Sequence, residues 1–218
     1  MKIVIPAKAG SIRVPNKNFR EFSNGKSLLD ITLQKVLAVV SREDVYVSCE
    51  DESKRGQIEN WGVNFIRRDV ELCENDAPFH EWFNRTIEAV PGDDDIAWCQ
   101  VIDPLFDEYA ECFATWKTVR ENHDSIVVVY PLRKYLLSPS FEPIGFGFGK
   151  SHVKSQMLPT HYELTFTLSV LKRSAIRCDG YHVGQNPYWY KCASAHIDID
   201  TLEEYELAGQ LYERRFRA

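Results

Sequence analysis

Two groups of residues, far apart in the chain, have the types and spacing to do chemistry. The first is Ala7-Lys8-Ala9-Gly10-Ser11-Ile12-Arg13-Val14-Pro15-Asn16-Lys17-Asn18, which follows a short apolar run, Lys2 to Pro6. Ala9, Gly10 and Ser11 have little side chain to block approach to their backbone N–H groups. Lys8, Arg13 and Lys17 add cations, so a strand ending in this loop reads as a cradle for a polyphosphate. The spacing of a Walker loop is absent. A basic surface turn is the plainer alternative. The second group is Asp198 and Asp200. Carboxylates at i and i+2 of an extended stretch face one side while Ile197 and Ile199 turn inward. Two hard oxygens that leave room for waters and phosphates suit Mg²⁺. Here the plainer alternative is a helix cap: Asp200 could cap a helix beginning near Leu202, with Thr201 and Glu203 supporting it.

In one cleft these groups would handle a nucleoside triphosphate. Such a ligand carries about four negative charges, and attack at its α-phosphorus needs them neutralised, the attacking and leaving oxygens in line, and the departing pyrophosphate stabilised. No protein nucleophile is required, and no convincing Ser/His/Asp or Cys/His arrangement offers one. The six histidines are scattered. Only His196, two residues before Asp198, is a candidate for the neighbourhood, with a packed or solvated role as the default.

The elements that must position these residues alternate. Strands are expected at Lys2–Pro6, Asp44–Ser48, Val63–Ile66, Asp95–Gln100, Ser125–Tyr130 and Tyr162–Leu171. Helices are expected at Leu28–Val40, Glu52–Trp61, Phe79–Ala89 and Tyr109–Glu121. That order predicts an α/β fold of three layers, a mainly parallel sheet with helices on both faces. Ligands of such sheets sit beyond the carboxyl ends of the strands, where the loop after Pro6 lies. Residues 1–218 read as a single domain, long enough to bury roughly 70% of the surface of the unfolded chain. Residues 131–161 break the alternation. Their prolines, glycines and phenylalanines make an irregular apolar excursion, either an interface arm or an arm folded back on its own core.

The net charge of −6 argues against a nucleic-acid partner, which a cationic surface would hold. No apolar run nears the roughly 20 residues needed to span a bilayer, and no signal segment opens the chain, so a cytoplasmic protein is expected. Cysteines 49, 73, 99, 112, 178 and 192 form no C-x-x-C pair, and reduced, mostly buried thiols are expected.

The residues from Ile5 to Asn18 resemble the opening signature of the acylneuraminate cytidylyltransferases (CMP-sialic acid synthetases), I-P-A-R-x-G-S-x-x-[IL]-P-x-K-N, with Lys8 in place of the arginine. Val45-Tyr46-Val47-Ser48-Cys49-Glu50-Asp51 is similar to that family's V-S-T-D-D segment, and Arg68-Asp69-Val70-Glu71-Leu72 with Asp76 to its R-P-x-E-L…D. Gln100-Val101-Ile102-Asp103-Pro104-Leu105 stands where it has Q-P-T-S-P-L, Lys154-Ser155-Gln156-Met157-Leu158-Pro159 with Tyr162 where it has R-x-Q-x-L-P…Y, and Ile197 to Thr201 matches I-D-I-D-T.

The resemblance implies a fold like that of the nucleotide-diphospho-sugar transferases and transfer of CMP from CTP to an acidic, nonulosonic-acid-like sugar, releasing pyrophosphate. It implies Mg²⁺ on Asp198 and Asp200, with Lys8, Lys17 and Asp200 as catalytic residues. Nucleotide contacts would come from Ala7, Lys8, Gly10, Ser11, Arg13, Lys17, Asn18, Arg68, Asp76, Ala77 and Pro78, and acceptor contacts from Gln100, Lys154, Gln156 and Tyr162. A homodimer joined through the excursion is expected. Departures gather on the acceptor side. T-S-P-L-R becomes Ile102-Asp103-Pro104-Leu105-Phe106, and a glycine after the family's tyrosine becomes Phe166. Lys154 gives up bidentate carboxylate recognition. Another anionic acceptor, a phosphonate or a different sugar acid, is therefore the nearest alternative. A non-catalytic nucleotide-binding module is the more distant one, against which Lys17 and both aspartates stand.

Overall fold

The run Ile3-Val4-Ile5 is buried at every position, which a strand tolerates only when both faces of its sheet are covered. The computed structural model, which describes residues 1–74 and 76–216, builds such a sheet. Its strands are β1 (Lys2–Pro6), β2 (Glu21–Ser23), β3 (Lys26–Ser27), β4 (Val45–Cys49), β5 (Asn64–Arg67), β6 (Ile96–Cys99), β7 (Ser125–Leu132), β8 (Leu136–Leu137), β9 (Pro143–Ile144), β10 (His161–Leu171) and β11 (Pro187–Lys191). The α-helices are α1 (Leu28–Leu37), α2 (Arg55–Glu59), α3 (Phe79–Glu88), α4 (Tyr109–Val119), α5 (Arg173–Asp179) and α6 (Leu202–Phe216).

Seven strands form one sheet in the order β11-β7-β10-β6-β1-β4-β5. β10 runs antiparallel to β6 and β7, and every other neighbouring pair is parallel. Alternation along the strands sorts the core. Ile3 and Ile5 of β1 and Ala97 and Cys99 of β6 pack with Leu29 and Leu33 of α1, Phe113 and Trp116 of α4, and Tyr205 and Ala208 of α6. Val4 and Trp98 face the other way, toward Phe83 and Ile87 of α3 and Ile176 of α5. The expected three-layer α/β architecture is thus the observed one. β1 occupies the middle, so the loop after Pro6 opens between the ends of β4 and β6.

Boundaries differ where local chemistry intervenes. The helix expected at Glu52–Trp61 is a 3₁₀ turn, Glu52–Lys54, followed by the short α2, because Asp51 accepts from Ser53 N–H and tightens the start. β11 and α5 were not anticipated. β11 begins at a proline and is an edge strand, and α5 stops at Gly180, whose φ of 58° suits glycine. The excursion holds the β8–β9 ribbon and 3₁₀ turns at Gly149–Ser151 and Ser155–Met157, with Phe141, Phe148 and Met157 exposed. A Cβ at Gly145 would come within 2.5 Å of Pro159 Cγ, so the ribbon closes on this side only with glycine. No helix among the described residues is long and apolar enough to cross a membrane. Cys49, Cys73, Cys99, Cys112 and Cys192 are free and buried, and the side chain of Cys178 lies outside the described residues.

Candidate active site

A cleft of about 580 Å³ opens at the carboxyl ends of β1, β5 and β6. Of the residues singled out from the sequence, Lys8, Ser11, Arg13, Lys17, Asn18, Arg68 and Gln100 line it. Ile102, one of the acceptor-side departures, lines it too, and Leu72, Cys73, Glu74 and Trp82 line it without having been anticipated. Ala7 is buried beneath the loop. Asp76 is exposed, Ala77 donates its N–H to Glu74 O at 3.3 Å, and Pro78 is the N-cap of α3; none of these three is in the cleft wall.

Internal hydrogen bonds shape the loop after β1. Ala7 N–H donates to Ser48 O at 2.8 Å, Asn18 Nδ2 to Lys8 O at 2.9 Å, and Lys8 Nζ to Cys73 O. The sequence suggested free amides at Ala9, Gly10 and Ser11. All three are filled in this structure: Ala9 and Gly10 both donate to Glu50 Oε1 at 2.8 Å, and Ser11 donates to Ala9 O at 2.9 Å. Burial raises the pKa of Glu50, but the N–H of Gly10 and its own backbone, the charge of Arg68 and the Ala9 N–H together hold it below the usual carboxylate range. Arg68 is buried with one nitrogen 3.5 Å from Glu50 Oε2 and its guanidinium over the Trp82 ring at 5.5 Å. Its Nε and that same NH2 group, both buried, have no hydrogen-bond partner among the described residues.

The two aspartates arrive beside this loop. Ile199 between them is buried in the core and donates its N–H to Ile102 O at 3.2 Å; Lys17 Nζ donates to Ile199 O at 2.5 Å. Burial lowers the pKa of Lys17, and the charges of Asp198 and Asp200 partly offset this. The helix-cap reading of Asp200 is corrected by geometry. Thr201 Oγ1 accepts from Glu204 N–H at 3.2 Å, while Glu204 Oε2 accepts from the N–H groups of Asp200 and Thr201 at 2.8 Å, so Thr201 and Glu204 form the capping box. The Asp200 carboxylate is left to a 2.7 Å ion pair with Arg13, both side chains exposed. The Asp198 carboxylate has no hydrogen-bond partner among the described residues, and burial followed by the charge of Asp200 raises its pKa. No third His, Cys, Asp or Glu completes a metal cluster with them among the described residues. Two hard oxygens with open positions fit an ion that draws the rest of its shell from water and phosphate.

His196 belongs to a network that sequence reasoning left out. Its Nδ1 lies 3.2 Å from Asp103 Oδ2, its ring stacks on Tyr130 at 4.0 Å, and its Nε2 is 3.7 Å from Glu163 Oε1. Tyr130 OH donates to the same Asp103 oxygen at 2.8 Å. Burial lowers the pKa of His196, but the Asp103 hydrogen bond, followed by the charges of Asp103, Glu163 and Asp198, raises it overall. On the acceptor side, Gln100 N–H donates to Thr167 O at 3.3 Å. Lys154 and Gln156 are exposed on the excursion, and Tyr162 lies under Lys191 Nζ at 5.3 Å, so none of the three meets Gln100 in the cleft of this chain. Phe166 packs on His182 at 4.2 Å and on Phe79 at 5.9 Å, and is not in the cleft wall.

The family model described as cytidylyltransferase matches residues 2–100, the stretch that supplies β1, the loop, Glu50 and Arg68. No curated protein matches the sequence. Among solved structures, the chain is similar to a CMP:2-keto-3-deoxy-manno-octonic acid synthetase complexed with CTP (TM-score 0.72, 13% identity, 99% of each chain covered). It is also similar to a putative glucose-1-phosphate thymidylyltransferase from Bacillus anthracis in complex with a sucrose (0.65, 13%, 97% of this chain and 94% of that one). A third is the 4-diphosphocytidyl-2C-methyl-D-erythritol synthase from Anaerococcus prevotii DSM 20548 (0.64, 12%, 98% and 99%). At these identities the likeness is one of fold. The family match covers residues 2–100, just under half of the chain, so the comparisons give this chain the fold of these nucleotidyltransferases and an N-terminal portion similar to the cytidylyltransferases.

Proposed function

We propose that the enzyme transfers CMP from CTP to a small acidic sugar of the nonulosonic-acid class and releases pyrophosphate. The observation that carries this reading is that the aspartate segment from the end of the chain lies against the cationic loop that lines the cleft, tied by Lys17 to Ile199 O at 2.5 Å and by Arg13 to Asp200 at 2.7 Å, although neither aspartate is itself in the cleft wall. The likeness to a sugar-acid synthetase bound to CTP supports the choice of acceptor class.

On this reading, Lys8, Lys17, Arg13 and Arg68 neutralise the phosphates, and Ser11 and Asn18 flank them. Lys17 faces the pyrophosphate that departs, and Asp198 and Asp200 hold Mg²⁺. The ion, when bound, neutralises charge on the phosphates during in-line displacement. Arg13 then gives up Asp200 as the site fills, an exchange that costs little because the pair is exposed. Gln100 contacts the acceptor. Lys154, Gln156 and Tyr162 contribute if the excursion reaches a second subunit, and the exposed Phe141, Phe148 and Met157 support a homodimer formed through it.

A second reading, a different anionic acceptor, is favoured by Asp103. Its carboxylate stands where the resembling family has a hydroxyl, and it is committed to Tyr130 and His196. Pyrophosphate release with each of the four nucleoside triphosphates against a panel of nonulosonic acids, other sugar acids and phosphonates tests both. Turnover with CTP and a nonulosonic acid is expected. Turnover only with a phosphonate or smaller acid moves the assignment to the second reading, and no CTP turnover with any acceptor removes both.

A further inference from the structure

Glu50 follows β4 and is almost fully buried, yet it carries a full charge into the wall of the nucleotide loop. One oxygen takes two amides at 2.8 Å each, a geometry in which a carboxylate does what a bound phosphate oxygen would do. Resting on the nucleotide reading above, we propose that Glu50 is a positioning residue: its carboxylate is a permanent internal ligand of the Ala9 and Gly10 amides, and it fixes the loop shape that aims Lys8 and Ser11 into the cleft.

Three observations carry this. The first is that glycine does not set the loop shape. Gly10 has no left-handed φ, and a Cβ placed on it would meet Glu50 Oε1 at 3.5 Å, ordinary contact, so the two hydrogen bonds are what hold the turn. The second is charge. The loop gathers Lys8, Arg13 and Lys17 within ten positions; in the free protein Asp200 answers Arg13 from outside, and Glu50 is the buried anion under the turn. The third is Arg68. At 3.5 Å Glu50 holds it by charge without a hydrogen bond, so Nε and one NH2, both buried, have no hydrogen-bond partner among the described residues, while the side chain as a whole lines the cleft. A buried guanidinium with unfilled donors is costly unless an anion completes it. A triphosphate arriving there finds side-chain donors waiting, while the two amides remain with Glu50. The phosphate contacts therefore divide: side chains bind, and the amides are spoken for.

The experiment compares wild type with Glu50→Ala and Glu50→Gln. In the free proteins, hydrogen exchange at the Ala9 and Gly10 amides should be slow in wild type, fast in Glu50→Ala and intermediate in Glu50→Gln, whose carbonyl oxygen can still accept. The Kd for CTP should rise by about 10- to 100-fold in Glu50→Ala, the range for losing charge-assisted contacts, and by less in Glu50→Gln, with kcat at saturating CTP changing far less than KM. Equal or tighter CTP binding by either variant would overturn the proposal, because it would mean that phosphate uses the amides once Glu50 is gone. If Glu50→Ala fails to fold, Glu50→Gln and a structure of the wild-type CTP complex decide: both 2.8 Å bonds retained supports Glu50 as a fixed ligand, and a phosphate oxygen on those amides refutes it. A wild type that binds no CTP fails the nucleotide reading instead, and the exchange pattern of the free proteins still judges Glu50 as the holder of the loop.

Discussion

Replacing Asp198 with Asn should move two measurements in opposite directions. The Asp198 carboxylate is partly buried, has no hydrogen-bond partner among the described residues, and shares its surroundings with Asp200. An anion so placed costs folding free energy, and an amide of the same shape removes that charge. The lost attraction for Lys17 limits the gain, so about 1 kcal/mol is a reasonable ceiling, or roughly 2–4 °C in Tm for a chain of this size. Turnover should fall instead. On the proposed function, Asp198 would hold the phosphate-bound ion, and losing that anionic oxygen is comparable to losing a preorganised transition-state donor, about 3–4 kcal/mol, or roughly 10²- to 10³-fold in kcat. Asp200→Asn makes an informative partner. Its ion pair with Arg13, the only one among the described residues, is exposed and worth about 0–1 kcal/mol, so Tm should hardly change while turnover drops as severely. Tm by scanning fluorimetry in chelator and pyrophosphate release across a Mg²⁺ titration read the two effects separately. Asp198→Asn retaining turnover within about threefold of wild type at saturating Mg²⁺ would refute the ligand role.

Three further outcomes are expected. Lys17→Ala should weaken CTP binding by about 1.5–3 kcal/mol in calorimetry, since it removes a phosphate cation and the tie to Ile199 O together; unchanged affinity would dismiss the cradle. His182 is fully buried with Ser169 Oγ 3.0 Å from Nδ1, and burial lowers its pKa from 6.5 to about 4. The unfolded chain therefore takes up the proton first as pH falls, so the stability contribution is complete above pH 6.5 and is lost between 6.5 and 4, by about 3 kcal/mol at most. His182→Gln should flatten that part of a urea-denaturation profile, and an unchanged slope would count against it. With CTP as donor, N-acetylneuraminate should be a poor acceptor, because unpaired polar groups cost about 1–3 kcal/mol each; efficient turnover would show the acceptor-side departures to be neutral.

The parts of the fold written in continuous apolar runs were legible before any coordinates. β1, β4, β6 and β7 fall within a residue or two of the expected strands because a run such as Ile126-Val127-Val128-Val129 has no other stable home than a doubly covered sheet. β11 gave no such signal, since an edge strand need bury only one side and its Tyr188 and Trp189 remain exposed. The caps show a different limit. Asp200 and Thr201 are both good N-cap residues, so the sequence could not choose between them. The choice left the Asp200 carboxylate to its exposed ion pair with Arg13.

Glu50 and Asp103 were hidden for a topological reason. In sequence, Glu50 is one acid among several after a strand, and Asp103 a lost hydroxyl. Their roles come from neighbours 40 and 41 residues away in the case of Gly10 and Ala9, and 27 and 93 away in the case of Tyr130 and His196. Parallel pairing of β1 with β4 brings residue 50 beneath residues 9 and 10, and the return of the chain after β11 brings His196 over Tyr130. Both carboxylates are consumed internally, which sets them apart from Asp198. The useful distinction around this cleft is between carboxylates already hydrogen-bonded, which hold the walls, and the Asp198 carboxylate beside it, which has no hydrogen-bond partner among the described residues; Arg68 is answered in charge by Glu50, yet its Nε and NH2 lack hydrogen-bond acceptors among those residues. On the proposed function, a metal-bound triphosphate would answer both the Asp198 carboxylate and the Arg68 donors, whereas a neutral ligand would leave each at its desolvation cost.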